Sequence, residues 1–402
     1  MRITVAALVA AAVSLGLAGI AQAQSPIRIG TSLGMTGVYA EFGLAVQRGY
    51  QLCVKAANAK GGLLGRKLEL SVVDDKSDTA TAVAIYERLI TQDKVDLVFS
   101  PYSSPLTNAV AVLAEKHAKP MVACCAATPG IFKGRRFLFM LLSPAEGYLE
   151  GLIDIAAKRG LKTILVIYED TPFPKGIAQG AAELAKKRGL QVVAVEGYPR
   201  GTKDFKEILG KFKTADVIAA AAYYDDTVAI TRDVKELDIN PKMLAATVGS
   251  GFPKFFETLG KSANYVYGAS PWEAVLVNLR AGGLVPIARQ YPGAAEFVEA
   301  YRKEFSSDDM AYQTAQGYGA CQLTLEGVKR AGVLDGERIR AEIAKNETPT
   351  TFGAFRLGAD GVQIGHKILL FQWQDGKKTI VWPEELTSAG PRFPTPAWSK
   401  RP

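Results

Sequence analysis

An α/β protein of two successive lobes, each a parallel sheet with helices on both faces, is the architecture the sequence predicts. Three observations lead there. Short apolar runs alternate with amphipathic helical stretches from residue 27 onward, the series restarts near residue 147, and no Ser- or Gly-rich linker separates the halves. The chain of 402 residues also exceeds the roughly 250–300 that one core organises.

The first strand is 27–33, where apolar positions alternate with small or polar ones until Gly34-Met-Thr-Gly37 breaks the run. A helix over 44–59 follows and stops at Lys60-Gly61-Gly62, a glycine C-cap. Then come strand 68–73, helix 79–92, strand 97–100, helix 105–117 and strand 121–123. In the second series, helix 147–159 leads into the apolar strand 163–168, with Ile164, Leu165, Val166 and Ile167 in a row. Helix 176–188, strand 191–196, helix 204–212, strand 217–222, helix 227–237 and strand 243–246 complete it. A long helix over 311–331 and a hairpin of 364–374 with 378–382 close the chain. Two such series describe two Rossmann-like lobes.

Composition narrows the function classes. Hydrophobic residues at 48% and charged residues at 22% exclude a disordered or fibrous chain. The net charge of +8 is dispersed, and its densest cluster, Lys186-Lys187-Arg188, sits at a helix end where cations suit the macrodipole. Nucleic acid is therefore not an expected partner. Two histidines, His117 and His366, and four cysteines offer little for a transition metal, and no metal is expected. Cys53 lies on the apolar stripe Val46, Tyr50, Cys53, Ala57 and reads as a buried free thiol. Cys321 falls in another helical pattern, and a vicinal disulfide between Cys124 and Cys125 would be strained and rare.

The N-terminus carries an address. Met1-Arg2 is a positive n-region, residues 3–20 are uncharged, and Ala21-Gln22-Ala23 is a small-x-small cleavage site, so 1–23 reads as a secretory signal peptide cut near Ala23. The alternative, a membrane anchor, is disfavoured because alanine-rich stretches insert weakly. Removing this segment takes Arg2 with it and leaves +7.

Enzymatic and cofactor motifs do not emerge. Gly30 to Gly37 lacks the G-x-G-x-x-G spacing, and Leu259-Gly-Lys-Ser262 has Phe255 where a P-loop needs its leading glycine. Asp74 and Asp75 are adjacent on a strand and face opposite ways. What recurs is polar or aromatic residues after strands, where open α/β sheets bind ligands. Ser103-Ser104 precedes a helix whose free N–H groups suit a carboxylate, although plain N-capping by Ser104 would explain the same pattern. Thr128 poses the same choice, and Tyr223-Tyr224 could wall a cleft or simply pack.

A resemblance then becomes specific. Ile27-Arg-Ile-Gly-Thr-Ser-Leu-Gly-Met-Thr-Gly37, Asn58-Ala-Lys-Gly-Gly62 with Gly65-Arg66, and Val73-Asp-Asp75 closely resemble the N-terminus of the branched-chain amino acid (Leu/Ile/Val) binding proteins of ABC transporters. Phe352-Gly-Ala-Phe355, Gly361, Phe371-Gln-Trp373 and Asp375-Gly376 are similar to the family's tail. The likeness implies a type I periplasmic binding fold: two lobes joined by three hinge crossings, a ligand clamped between them, and delivery to a membrane permease. Lobe 1 would be 24–142 plus about 271–365, and lobe 2 would be 143–270 plus about 366–402.

By local motif, the resemblance assigns the ligand's carboxylate to Ser103 and Thr128, with backbone N–H groups from the loop around Ala126. It places aromatic walls at Phe42, Tyr102, Phe173 and Tyr223. The departures are informative. Relatives that bind amino acids carry an acidic residue in the loop after 243–246 to pair with the ammonium; here that loop is Thr247-Val-Gly-Ser-Gly251, with Thr247 the nearest match. Asp225 or Asp226 could substitute, but both immediately precede a helix and would cap it. The family's early disulfide is also missing, since Tyr102 replaces one cysteine. The expectation is a monomeric, non-enzymatic, periplasmic solute-binding protein without cofactor. It would bind a small carboxylate, apolar or aromatic acids over branched-chain amino acids, and deliver it to ABC permease subunits in the inner membrane. A sensory binding protein is the alternative, and an exported hydrolase a remoter one.

Overall fold

The computed structural model describes residues 24–278, 287–308, 310–387 and 389–401. The proposed signal peptide, 1–23, lies outside them. Twelve strands are described: β1 Ile27–Leu33, β2 Leu68–Asp74, β3 Leu97–Val98, β4 Met121–Ala123, β5 Leu138–Met140, β6 Thr163–Glu169, β7 Gln191–Tyr198, β8 Val217–Ala221, β9 Met243–Ala246, β10 Val266–Ser270, β11 Leu369–Gln374 and β12 Lys377–Trp382. The helices among them are α1 Ala40–Ala59, α2 Thr79–Thr91, α3 Ser104–Lys116, α4 Glu150–Lys158, α5 Pro172–Lys187, α6 Lys206–Lys211, α7 Tyr224–Glu236 and α8 Pro253–Leu259. Then come α9 Ile287–Gln290, α10 Ala294–Phe305, α11 Tyr312–Ala331 and α12 Gly336–Ala344.

Two bodies follow from the sheets. In the first, β1 pairs in parallel with β2 and β3, while β4 and β5 form a second parallel pair. In the other, seven strands run in the order β12-β11-β10-β9-β8-β6-β7. Its β6–β10 stretch is parallel, and the hairpin β11–β12 adds an antiparallel edge. Strand β8, Val-Ile-Ala-Ala-Ala, is buried along its whole length, as a central parallel strand covered on both faces should be.

The two series are interleaved in sequence. Helix α11 belongs to the first body, where it lies along α1. A Cβ at Gly49 would come within 2.1 Å of the Thr314 carbonyl oxygen, and one at Gly317 within 2.6 Å of that of Val46. Glycine is required at both positions because the helix backbones touch there. The same two helices are stapled by a disulfide between Cys53 and Cys321, with Cα atoms 6.2 Å apart. The free-thiol expectation for Cys53 is thus corrected: the stripe does bury it, but against a second cysteine 268 residues away. Cys124 and Cys125 are joined to each other, so no described cysteine is free.

The chain passes from the first body to the other between β5 and β6, returns between β10 and α11, and crosses again ahead of β11. Ser143 Oγ lies 2.9 Å from both the His366 Nδ1 and the His366 carbonyl, which ties two of these passages together. Burial pushes the His366 imidazole down to about 4, so the ring is neutral at physiological pH. Among the described residues no helix is long and apolar enough to cross a membrane.

Candidate functional site

The cleft between the bodies is built from chain segments that leave strand ends. After β3 the chain runs extended through Tyr102 and Ser103, joined by a cis peptide, into α3. Ser103 occupies the N-cap position, yet its side chain makes no capping bond. Ser104 is not the cap either: its Oγ accepts a bond from the Ala127 N–H at 3.2 Å and holds the loop after β4 against the start of α3. Ser100 Oγ accepts from the Cys124 N–H at 2.9 Å on the same loop. Two serines therefore position the segment that ends at Thr128.

Several buried polar atoms are left over among the described residues, Gln316 Oε1 and three hydroxyls that follow strand ends included. Ser103 Oγ, Thr128 Oγ1 and Tyr223 OH are buried with no hydrogen-bond partner. Ser103 lies near the Tyr39 hydroxyl and, against the upward push of burial, lowers its titration slightly, while Tyr39 adds to the burial that raises that of Tyr223; neither Ser103 nor Tyr223 reaches bonding geometry with the Tyr39 hydroxyl. Buried orphans of this kind are uncommon in native proteins. They cost about 1–3 kcal/mol each, which a ligand's oxygens would recover.

Around them the rings interlock. Phe42 stacks on Tyr102 at 4.8 Å and 17°, and meets Tyr223 edge-on at 5.7 Å and Phe252 at 4.9 Å. Phe173 approaches Tyr148 at 5.2 Å and Tyr223 at 6.2 Å. Only a small closed cavity of about 10 Å³ remains between them, walled by Tyr102, Ser103 and Cys125 from one body and Phe173, Tyr223 and Val248 from the other, with Tyr148, Tyr312 and Gln316 closing it. Wider hollows open to solvent, of about 510 and 570 Å³, lie beside Cys53 and beside Arg289. They lie away from these hydroxyls.

Not every expected residue reaches the wall. Ala126 is buried behind it, and Phe42 and Thr128 flank it without lining it. Thr247 is occupied elsewhere: its Oγ1 pairs with the backbone N–H (3.1 Å) and carbonyl (3.3 Å) of Ala222, stitching the ends of β8 and β9. Asp225 and Asp226 lie inside the first turn of α7, whose N-cap is Tyr223, so neither caps it as expected. Asp226 accepts from the Tyr198 hydroxyl at 3.1 Å. Burial, aided by the charge of Glu169, pushes its carboxyl up to about 6. A raised carboxyl favours folding below its unfolded value near 4, and that contribution is lost as pH rises through about 6. Asp226→Asn should therefore melt higher than the parent at pH 7 and equally at pH 4; equal melting at both values would refute the assignment.

Several contributors had no signal in the sequence. Tyr39 precedes α1 and packs edge-on against Tyr102 and Tyr223, 5.3 Å from each. Arg200, just beyond β7, donates to the Tyr39 hydroxyl at 2.6 Å, and Lys254 of α8 pairs with Glu41 of α1. Both contacts cross the cleft and hold it closed. Among the described residues no Asp or Glu lines the cavity, and none forms a cluster of metal ligands.

The periplasmic binding protein family matches residues 26–378. The chain belongs to that family. Leu/Ile/Val-binding protein homolog 7 of Brucella suis biovar 1 is 25% identical to this binding protein over 404 residues, spanning 96% of this chain and 99% of the relative. Homolog 8 of the same organism is also 25% identical, spanning 95% and 96%. In structure, the binding protein is similar to LivJ of Streptococcus pneumoniae in complex with isoleucine, with a TM-score of 0.78, 25% identity and coverage of 89% and 100%. A solute binding protein from R. palustris in complex with benzoate shares the fold, with a TM-score of 0.76 at 18% identity over 92% and 98%. The binding protein is thus a type I periplasmic binding protein of the branched-chain amino acid transporter type, and the family implies an extracytoplasmic location. Two disulfides suit that oxidising setting.

Proposed function

We propose that the protein is the solute-binding component of a branched-chain amino acid-type ABC importer. It clamps a small carboxylate between lobe 1, 24–142 plus about 271–365, and lobe 2, 143–270 plus about 366–402. Within that class it prefers apolar or aromatic acids to leucine-like amino acids. One observation carries the reading: Ser103 and Tyr223, from opposite bodies, bring unpartnered buried hydroxyls to an aromatic cavity with no acidic residue in its wall. A carboxylate would satisfy those hydroxyls with charge-assisted bonds. An ammonium placed there would lose its hydration without gaining a carboxylate partner.

The role is binding, followed by hinge motion about the passages near 143, 271 and 366. No nucleophile and base stand together at the cleft, and the relatives are solute-binding proteins. Calorimetry with benzoate and with leucine tests the preference. Tight benzoate binding with weak leucine binding is expected; micromolar leucine with no benzoate binding would overturn it. Loss of acid uptake in cells lacking the protein would support the permease partnership, and unchanged uptake would count against it.

A further inference from the structure

Arg200 brings a cation close to the orphaned hydroxyls through Tyr39. Its Nη2 donates to the Tyr39 hydroxyl at 2.6 Å, its Nε to Glu169 Oε1 at 3.2 Å, and its guanidinium lies 5.3 Å from the Tyr39 ring centroid. Tyr39 comes from the opposite side of the cleft. Burial holds its phenol above the ordinary value despite the neighbouring cation, so the hydroxyl keeps its proton while accepting from Arg200. That hydroxyl sits beside Ser103 and Tyr223, so a positive charge stands one hydroxyl away from the carboxylate position.

We infer that Arg200, acting through Tyr39, is a specificity-determining residue that makes the cleft select amine-free carboxylates over amino-acid zwitterions. The inference rests on the carboxylate reading above and adds the group that enforces it. In an α-amino acid the ammonium is two bonds from the carboxylate carbon and meets the same guanidinium with the opposite sign. Such repulsion is weakly screened in a closed site. Arg200 acts a second time through Glu169, a buried carboxylate close enough to influence Tyr223. Glu169 could receive an ammonium, but its Oε1 already accepts from both Arg200 and Thr171 Oγ1 (2.9 Å). Removing the guanidinium therefore relieves the repulsion and frees an acid at once. A tether that merely closed the cleft would treat both ligand classes alike.

Calorimetry of the purified protein with benzoate and with L-phenylalanine separates these cases, because the two share a ring and a carboxylate and differ in the ammonium. Arg200→Gln should shift the affinity ratio toward phenylalanine by about tenfold or more, through the loss of one like-charge contact. Arg200→Lys keeps the charge and should retain most of the parental ratio. Equal losses for both ligands in Arg200→Gln would overturn the inference, leaving only a closing contact, and so would an unchanged ratio or a parent that binds neither probe. Ser103→Ala, measured in parallel, distinguishes the failures. If it leaves benzoate affinity intact, the carboxylate pocket itself is wrong; if it weakens benzoate while Arg200→Gln leaves the ratio unmoved, only the role of Arg200 falls.

Discussion

Replacing Cys53 and Cys321 together by alanine is expected to cost about 2–5 kcal/mol of stability while leaving ligand affinity close to the parental value. The bond closes a loop of 268 residues. Long loops lose the most freedom in the unfolded chain when cross-linked. Both cysteines are buried between α1 and α11, away from the cavity wall. Thermal melting of the double variant is the check, with calorimetry alongside. An unchanged midpoint would mean that the helix contact around Gly49 and Gly317 alone fixes the pair.

Ser103→Ala should weaken carboxylate binding about 10- to 100-fold, the worth of one hydrogen bond to a charged group at roughly 1.5–3 kcal/mol. The unliganded protein should melt no lower, and by a small margin higher. This pairing of effects is diagnostic. A hydroxyl with a structural partner, such as Thr247, would lower stability when removed, because its partner would be stranded. Ser103 Oγ has none, so its desolvation is offset only when ligand arrives. A variant that melts lower with unchanged affinity would place Ser103 among the structural residues.

The fold was legible where local pattern decides structure. Strands 27–33, 121–123 and 243–246 appear with the bounds their apolar runs imply. Strand β10 was missed because Val-Tyr-Gly-Ala-Ser reads as neither alternating nor continuous. Its Gly268 exists for a tertiary reason: a Cβ there would come within 2.2 Å of the Phe371 ring, about a hundred residues later. The Cys53–Cys321 pairing was invisible for the same reason, since a helical stripe reports burial but never the partner. In the cleft, Ser103, Tyr102, Phe173 and Tyr223 were found by their places after strands and by resemblance. Arg200 and Tyr39 were not, because a lone arginine after a strand looks like any solvated loop residue. What selects them is contact across the cleft, which has no local signature.

The interleaving of the two bodies also sets the order in which this chain can become a structure. As residues emerge from the N-terminus, α1 can lie on β1 and β2 but waits for α11, some 250 positions later, to cover its other face, and β10 keeps an open edge until β11 supplies its pairing. Neither half is finished until the chain has returned to it late in the sequence, so a simple first-half-then-second-half order of vectorial synthesis is unavailable. For a chain that must cross a membrane before it works, this is a fitting delay. The first body closes only after α11, and the other only after the C-terminal hairpin β11–β12.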